Sequence, residues 1–268
     1  MYRMRNDSQP MVVGDPWEDL KRFTDARIAI GRCGSSLPLK ESLSFKLDHA
    51  RARDAVLQPF QRAELARQFT DDGIKCLEVE SSVIERGEYL TRPDKGRRLS
   101  SRSRALIENE EKGCHISLVV SDGLSSRAIH ETAFPFVRTF MKTVESAGLT
   151  VAPVCLVENG RVAIADEIGN LLGCELSVIL IGERPGLSSP NSMGIYLTWN
   201  PRSGTTDESR NCISNVRPGG LSVQEGVRKL AYLVEEAFRL HLSGVLLKDK
   251  MTAGYLPFGR AIPLELSD

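Results

Sequence analysis

The sequence has no surplus of charge of either sign. Its 268 residues carry 35 Lys and Arg against 35 Asp and Glu. A nucleic-acid-binding chain usually carries a basic surplus, so that class is set aside. A long apolar run is also missing. Nothing approaches the roughly 18 residues that cross a bilayer, and the opening MYRMRNDSQPMVVGDPW has no apolar centre of the kind a signal peptide needs. The expectation is a cytoplasmic chain with no membrane and no nucleic-acid partner.

Paired cysteines are absent too. Cys33, Cys76, Cys114, Cys155, Cys174 and Cys212 are scattered, with no CxxC. In a reducing compartment such cysteines act as small buried hydrophobes, and the spacing of a four-ligand zinc site is missing. The four histidines, His49, His115, His130 and His241, lie far apart, so no metal-ligating residue is assigned. The glycine-bearing GRCG at 31–34 matches neither a P-loop nor GxGxxG. SDGLS is not the GxSxG nucleophile elbow, and there is no HExxH. No catalytic residue is assigned in this chain.

What is present is a pattern of alternating elements. Residues 1–14 read as a tail, and 15–112 as a mainly helical N-terminal region. Asp15-Pro16-Trp17-Glu18 reads as a helix start. A helix is expected over 38–58, with Leu39, Leu43, Leu47, Ala50 and Ala55 near one face. Others are expected over 63–69 and 95–110, with CLEVES (76–81) a short strand. From 113 to 268 an α/β domain is expected. ISLVVSDG, VAPVCLV, LSVILIG and GIYLTW read as strands, alternating with helices over 125–147 (bent or restarted near Pro135), 164–172 and 222–240. Short apolar strands alternating with helices imply a mostly parallel, Rossmann-like sheet with helices on both faces.

In such sheets ligands bind outside the carboxyl ends of the strands. Four polar segments are candidates: SDGLSSR (121–127), VENGRV (157–162), GERPGLS (182–188) and PRSGTTDESRNCISN (201–215), the last read as a loop. Each has a plainer explanation. Asp122 caps a helix, Asn159-Gly160 is an ordinary turn, Glu183 and Arg184 pair with each other or with a neighbour at the surface, and Cys212 is buried filler. Arg97, Arg98, Arg102 and Arg104 either grip an anion or acidic partner or form the solvated face of a helix. Only joint placement at one strand edge favours a site.

The runs DLKRFTDARIAIGRCG, LDHARARDAV, YLTRPDKGRRL, SDGLSSRAI, IGERPGL, YLTW-PR and RNCISNVRPGG, taken in this order from about Asp19 to Leu247, resemble the ethanolamine ammonia-lyase small subunit family. The resemblance implies an ammonia-lyase that converts ethanolamine to acetaldehyde and ammonia with adenosylcobalamin. It implies a separate large TIM-barrel subunit that holds the substrate, and a small subunit that covers the cobalamin at the interface of a hetero-oligomer. Three cofactor contacts carry over: Val162 of the GRV turn, Glu183 of GERPG and Cys212 of RNCISN. A carboxylate accepts hydrogen bonds from corrin amides. Val162 must act through backbone or packing, and Cys212 likewise. Gly182 and Gly186 are then expected where backbone comes close to the ligand. No Asp-x-His-x-x-Gly is present, so dimethylbenzimidazole is expected to stay on cobalt. Some relatives carry a longer N-terminal extension that addresses the enzyme to a bacterial microcompartment; the tail here is short for that role. Two other readings compete: a stand-alone Rossmann-like nucleotide-binding enzyme, and a non-catalytic interaction protein that no longer binds cofactor.

Overall fold

The computed structural model describes residues 11–260, so the first ten residues of the expected tail lie outside the described residues. Among the described residues six strands form one sheet: β1 (Cys76–Glu80), β2 (Ile116–Ser121), β3 (Val154–Glu158), β4 (Leu176–Gly182), β5 (Met193–Trp199) and β6 (Arg210–Val216). Their order is β1-β3-β2-β4-β5-β6. The first four neighbours run parallel, whereas β4–β5 and β5–β6 are antiparallel. The sheet is therefore mixed, which qualifies the Rossmann-like expectation. The strand β6 lies inside the segment read as a loop. Its RNCISNV run has no unbroken apolar character, because one of its faces stays open to solvent.

The described residues include eight α-helices: α1 (Leu39–Leu57), α2 (Arg62–Asp71), α3 (Arg86–Thr91), α4 (Pro93–Gly96), α5 (Ser101–Glu108), α6 (Ser126–Glu145), α7 (Ile164–Leu171) and α8 (Val223–Leu240). The single helix expected over 95–110 is two, α4 and α5. The expected helix start at Asp15 is a 3-10 turn over Glu18–Phe23, with the Asp15 carboxylate accepting from the Trp17 N–H at 2.9 Å. α6 runs through Pro135 as one helix. The capping box at Ser222 is half made: Ser222 Oγ accepts the Glu225 N–H at 3.2 Å, but the Glu225 carboxylate turns to Arg228. The N-terminal region is not all helix. β1 joins the sheet edge beside β3 and Val79 enters the core.

Two cores flank the sheet, because successive side chains along a strand point to opposite faces. Leu118, Val120, Val178, Leu180, Ile195 and Leu197 face α2, α6 and α8. Val119, Val157, Ile179 and Ile181 face the other side, with Ile164, Ile168 and Leu172 of the α7 region and Ile107 of α5. β2 and β4 are buried at every position. The eight residues of α7 reach β2 and β4. On that face Asp166 of α7 reaches Arg210 at the start of β6 and Thr198 of β5 is buried, whereas Tyr196 is half-buried and Cys212 and Ser214 are exposed. Helices thus cover one face fully and the other in part. α1 stands apart: only Ala55 is buried, while Leu39, Leu43 and Leu47 are exposed.

Candidate functional site: an open face at the carboxyl edge of the sheet

The crevice between the ends of β2 and β3 is where an α/β sheet of this order offers its first ligand position. Here it is filled by protein. Asp122 accepts from the Asn159 N–H at 2.8 Å and from Arg86 Nη1 at 2.8 Å. Arg86 also reaches the Asn159 side-chain oxygen at 3.1 Å and the Val56 carbonyl at the end of α1. Ser121 Oγ accepts the Gly160 N–H at 3.1 Å. Asn159 takes positive φ, as its turn requires. Asp122 is thus a buried tie between two strand ends, and Ser125 caps α6.

The loop after β4 is packed onto the same place. A Cβ on Gly182 would lie 2.2 Å from the Ser125 carbonyl oxygen and 2.3 Å from that of Asp122. Gly182 is glycine because the 122–125 turn crosses it. Gly186 has ordinary room, its nearest neighbours being at 3.8 Å. Packing alone accounts for Gly182, so its glycine has a reason other than the ligand expected there, whereas no such packing contact surrounds Gly186.

Glu183 leaves β4 on the same face as α7, beside Gly194 of β5. Its carboxylate accepts from Ser192 Oγ at 2.5 Å, Ser214 Oγ at 2.6 Å and the Asn215 N–H at 3.3 Å. A register shift between β5 and β6 produces this arrangement: Met193 pairs with Val216 but Ile195 with Ile213, leaving Ser214 and Asn215 as a bulge. Asn215 sits at φ 66. Bulges re-aim side chains in this way. Gly194 leaves the space the carboxylate fills, since a Cβ there would sit 2.9 Å from Glu183 Oε1. The surface pair with Arg184 does not form: Arg184 is exposed and meets no carboxylate among the described residues.

Cys212 is exposed on β6, opposite Tyr196 of β5. Packing around the sulfur raises the thiol pKa. The neighbouring Tyr196 hydroxyl counters this, and the Glu183 charge adds to the rise. The group stays a neutral thiol near pH 7. Tyr196 is itself pushed up, first by burial and then by Cys212 and Glu183. Cys212 is therefore not buried filler.

Val162 sits just before α7, partly buried against the second core. Its carbonyl accepts the Ala165 N–H at 3.2 Å. Its own N–H has no acceptor among the described residues, which is the usual state of a helix's first donors. The turn is fastened from outside by the TRPDKGRRL run. The Arg161 N–H donates to the Gly96 carbonyl at 2.7 Å, and Arg161 Nη2 to the Tyr89 carbonyl at 2.8 Å. The Tyr89 ring lies between the Arg86 and Arg161 guanidinium groups, at 4.6 and 4.1 Å.

Val162, Glu183 and Cys212 thus all belong to the α7 side of the sheet, at or beside the uncovered faces of β5 and β6. Tyr196, Ser192, Ser214 and Asn215 complete this shelf and were not among the sequence candidates. The alternation in GIYLTW carried a signal for Tyr196: Ile195 and Leu197 point to one core, so Tyr196 points to the other face. The bulge that brings Ser214 and Asn215 to Glu183 has no such signal. Among the described residues, no helix is long and apolar enough to cross a membrane.

Comparison with known proteins gives a consistent match. The family model described as ethanolamine ammonia-lyase light chain (EutC) matches residues 14–248. A protein of Ralstonia nicotianae named ethanolamine ammonia-lyase small subunit is 48% identical over 260 residues, covering 96% of each chain. Proteins of the same name from Pseudomonas fluorescens and Azotobacter vinelandii are 49% and 50% identical over 240 residues, covering 88% of this chain and 87% and 89% of theirs.

Proposed function

The chain belongs to the ethanolamine ammonia-lyase light chain family, and from that premise we propose that its open sheet face is the small subunit's half of an adenosylcobalamin site. The complex it serves deaminates ethanolamine to acetaldehyde and ammonia, with a large TIM-barrel subunit closing the site from the opposite side and handling the substrate. The observation that carries this reading is the shelf. A broad, flat cofactor needs an uncovered, rigid surface with hydrogen-bonding groups at its rim, and the uncovered faces of β5 and β6 supply one.

The residues fit such a group. Glu183 uses three of about four acceptor positions on its carboxylate. The remaining capacity faces the shelf and suits an amide N–H of a corrin side chain, a charge-assisted bond. The Val162 N–H is a free donor for an amide oxygen. Cys212, flat on the strand and neutral, supports the ring by contact and does not compete for cobalt. When bound, the cofactor supplies the radical through its cobalt–carbon bond. This chain's own work is to bind, orient and keep water from one side of it. The filled crevice at β2 and β3 argues against the rival reading of a stand-alone nucleotide-binding enzyme.

Co-expression tests the proposal. Acetaldehyde from ethanolamine and adenosylcobalamin is expected only when this chain and a large subunit are both present. Full activity from the large subunit alone, or any from this chain alone, would overturn it.

A further inference from the structure

Two strands open on the same five-residue pattern. Gly113-Cys114-His115-Ile116-Ser117 leads into β2, and Gly173-Cys174-Glu175-Leu176-Ser177 leads into β4. The strands are parallel neighbours, and the sheet sets one run against the other: Ile116 pairs with Leu176 and Ser117 with Ser177. The match continues ahead of the strands. The Leu176 N–H donates to the His115 carbonyl and the Gly113 N–H to the Leu172 carbonyl, each at 3.0 Å. A Cβ on Gly173 would lie 3.6 Å from the Gly113 nitrogen. Cys114 therefore stands beside Cys174, a pairing that no spacing in the sequence marks. Neighbouring strands lie about 4.8 Å apart, inside the roughly 4.4–6.8 Å between Cα atoms that a disulfide spans. Both side chains pack against the same core, the one on the α7 side. The other cysteines are placed differently. Cys155 shares that core but is wholly buried and pairs by register with Val119, farther along β2. Cys76 packs against the opposite core. Cys33 precedes α1, and Cys212 is on β6, two strands from β4.

The two thiols of the pair differ. Cys114 is half-buried and lines an open groove of about 460 Å³. Cys174 is buried. Burial first, and the adjoining Cys114 next, raise its thiol pKa to about 12, with Lys112 countering. Reactivity follows exposure and thiolate character, so Cys114 is the thiol that meets a reagent first. We propose that Cys114 and Cys174 form a site of reversible oxidation by a peroxide. The Cys114 sulfur attacks one peroxide oxygen and the O–O bond breaks, giving a sulfenic acid and one water. The Cys174 sulfur then attacks the Cys114 sulfur. The S–O bond breaks, an S–S bond forms, and the second water leaves with the Cys174 proton. Two thiols give up two electrons, and one hydrogen peroxide is reduced to two waters. The bond fastens the amino ends of β2 and β4, the strands that lead into Asp122 and Glu183.

The test treats the full chain with hydrogen peroxide, blocks the remaining thiols and maps the unreduced peptides by mass spectrometry. A Cys114–Cys174 link within one chain is expected. It should form at a rate independent of protein concentration and disappear on adding dithiothreitol. In Cys174→Ala the link is lost, and dimedone, which traps sulfenic acids, labels Cys114. In Cys114→Ala neither a link nor a label is expected at Cys174. A wild-type map in which Cys114 is unmodified, or oxidised without joining Cys174, would overturn the inference. So would a link from Cys114 to any other cysteine, or one that joins two chains. The wild-type map decides the matter even where a variant fails to fold.

Discussion

Asp122 places a carboxylate in the centre of the molecule, where a charge must be matched. Burial pushes its pKa up to about 6, and Arg86 and the Asn159 N–H pull it back down. A folded pKa above the unfolded value of about 3.9 means that this group favours the folded state most at low pH. That contribution fades as pH rises through about 6. Arg86→Met removes the largest opposing influence, so the folded pKa rises further. We predict a loss of about 3–5 kcal/mol at pH 8, the range for breaking a buried pair, and a smaller loss at pH 5, where Asp122 takes up a proton. Urea unfolding at the two pH values measures it. Equal losses would mean that Arg86 matters only for holding the Val56 carbonyl. At Glu183, the Ala variant should weaken cobalamin binding to the assembled complex by about 1–3 kcal/mol. It should also lower the melting temperature, because Ser192, Ser214 and the Asn215 N–H lose their acceptor together. Calorimetry with and without cofactor separates the two effects. The sequence marked Glu183 as charged at a strand end. It did not reveal these three partners, which lie 9, 31 and 32 residues away and depend on tertiary placement.

At the level of elements, β4 sets the site. Its seven residues were legible because every one is apolar, glycine or small, the mark of a strand buried on both faces. β6 was not legible, because an edge strand with one open face mixes Arg210, Asn211 and Ser214 with Ile213 and Val216. α1 was legible as a helix, but its Leu39, Leu43 and Leu47 turned out to be solvent-facing. Periodicity reports that an apolar stripe exists, not whether this chain covers it. The glycines of β4 and its loop give a sharp contrast. Gly182→Ala must push backbone against backbone at the 122–125 turn, and we predict a loss beyond about 4 kcal/mol, among the largest that point substitutions cause. Gly186→Ala, with ordinary contact distances around it, should change stability by about 0.5 kcal/mol or less. Thermal unfolding of the two variants side by side decides it; similar losses would contradict the packing described for β4.

For the whole molecule, the neutral charge balance and open shelf suit a chain that completes a partner. Large apolar side chains are exposed in number over residues 11–57: Met11 at 83%, Trp17 at 65%, Phe23 at 73% and Leu39 at 74%. Patches of this kind mark association surfaces. The isolated chain should therefore bind the dye ANS, and adding the large subunit should reduce the fluorescence; an unchanged signal would mean that assembly leaves this surface bare. On the proposed reading, the lack of an assigned catalytic constellation in this chain reflects a division of labour between two subunits.

The most direct measurement is the affinity of the assembled complex for adenosylcobalamin when the shelf is obstructed. Cys212→Trp places a large side chain on the exposed face of β6 without entering either core. In complexes that still contain both subunits, we predict that affinity falls tenfold or more, about 1.4 kcal/mol or greater, while Cys212→Ser stays near wild type because its side chain is almost the same size. Wild-type affinity in the Trp variant would contradict the placement of the cofactor on this face.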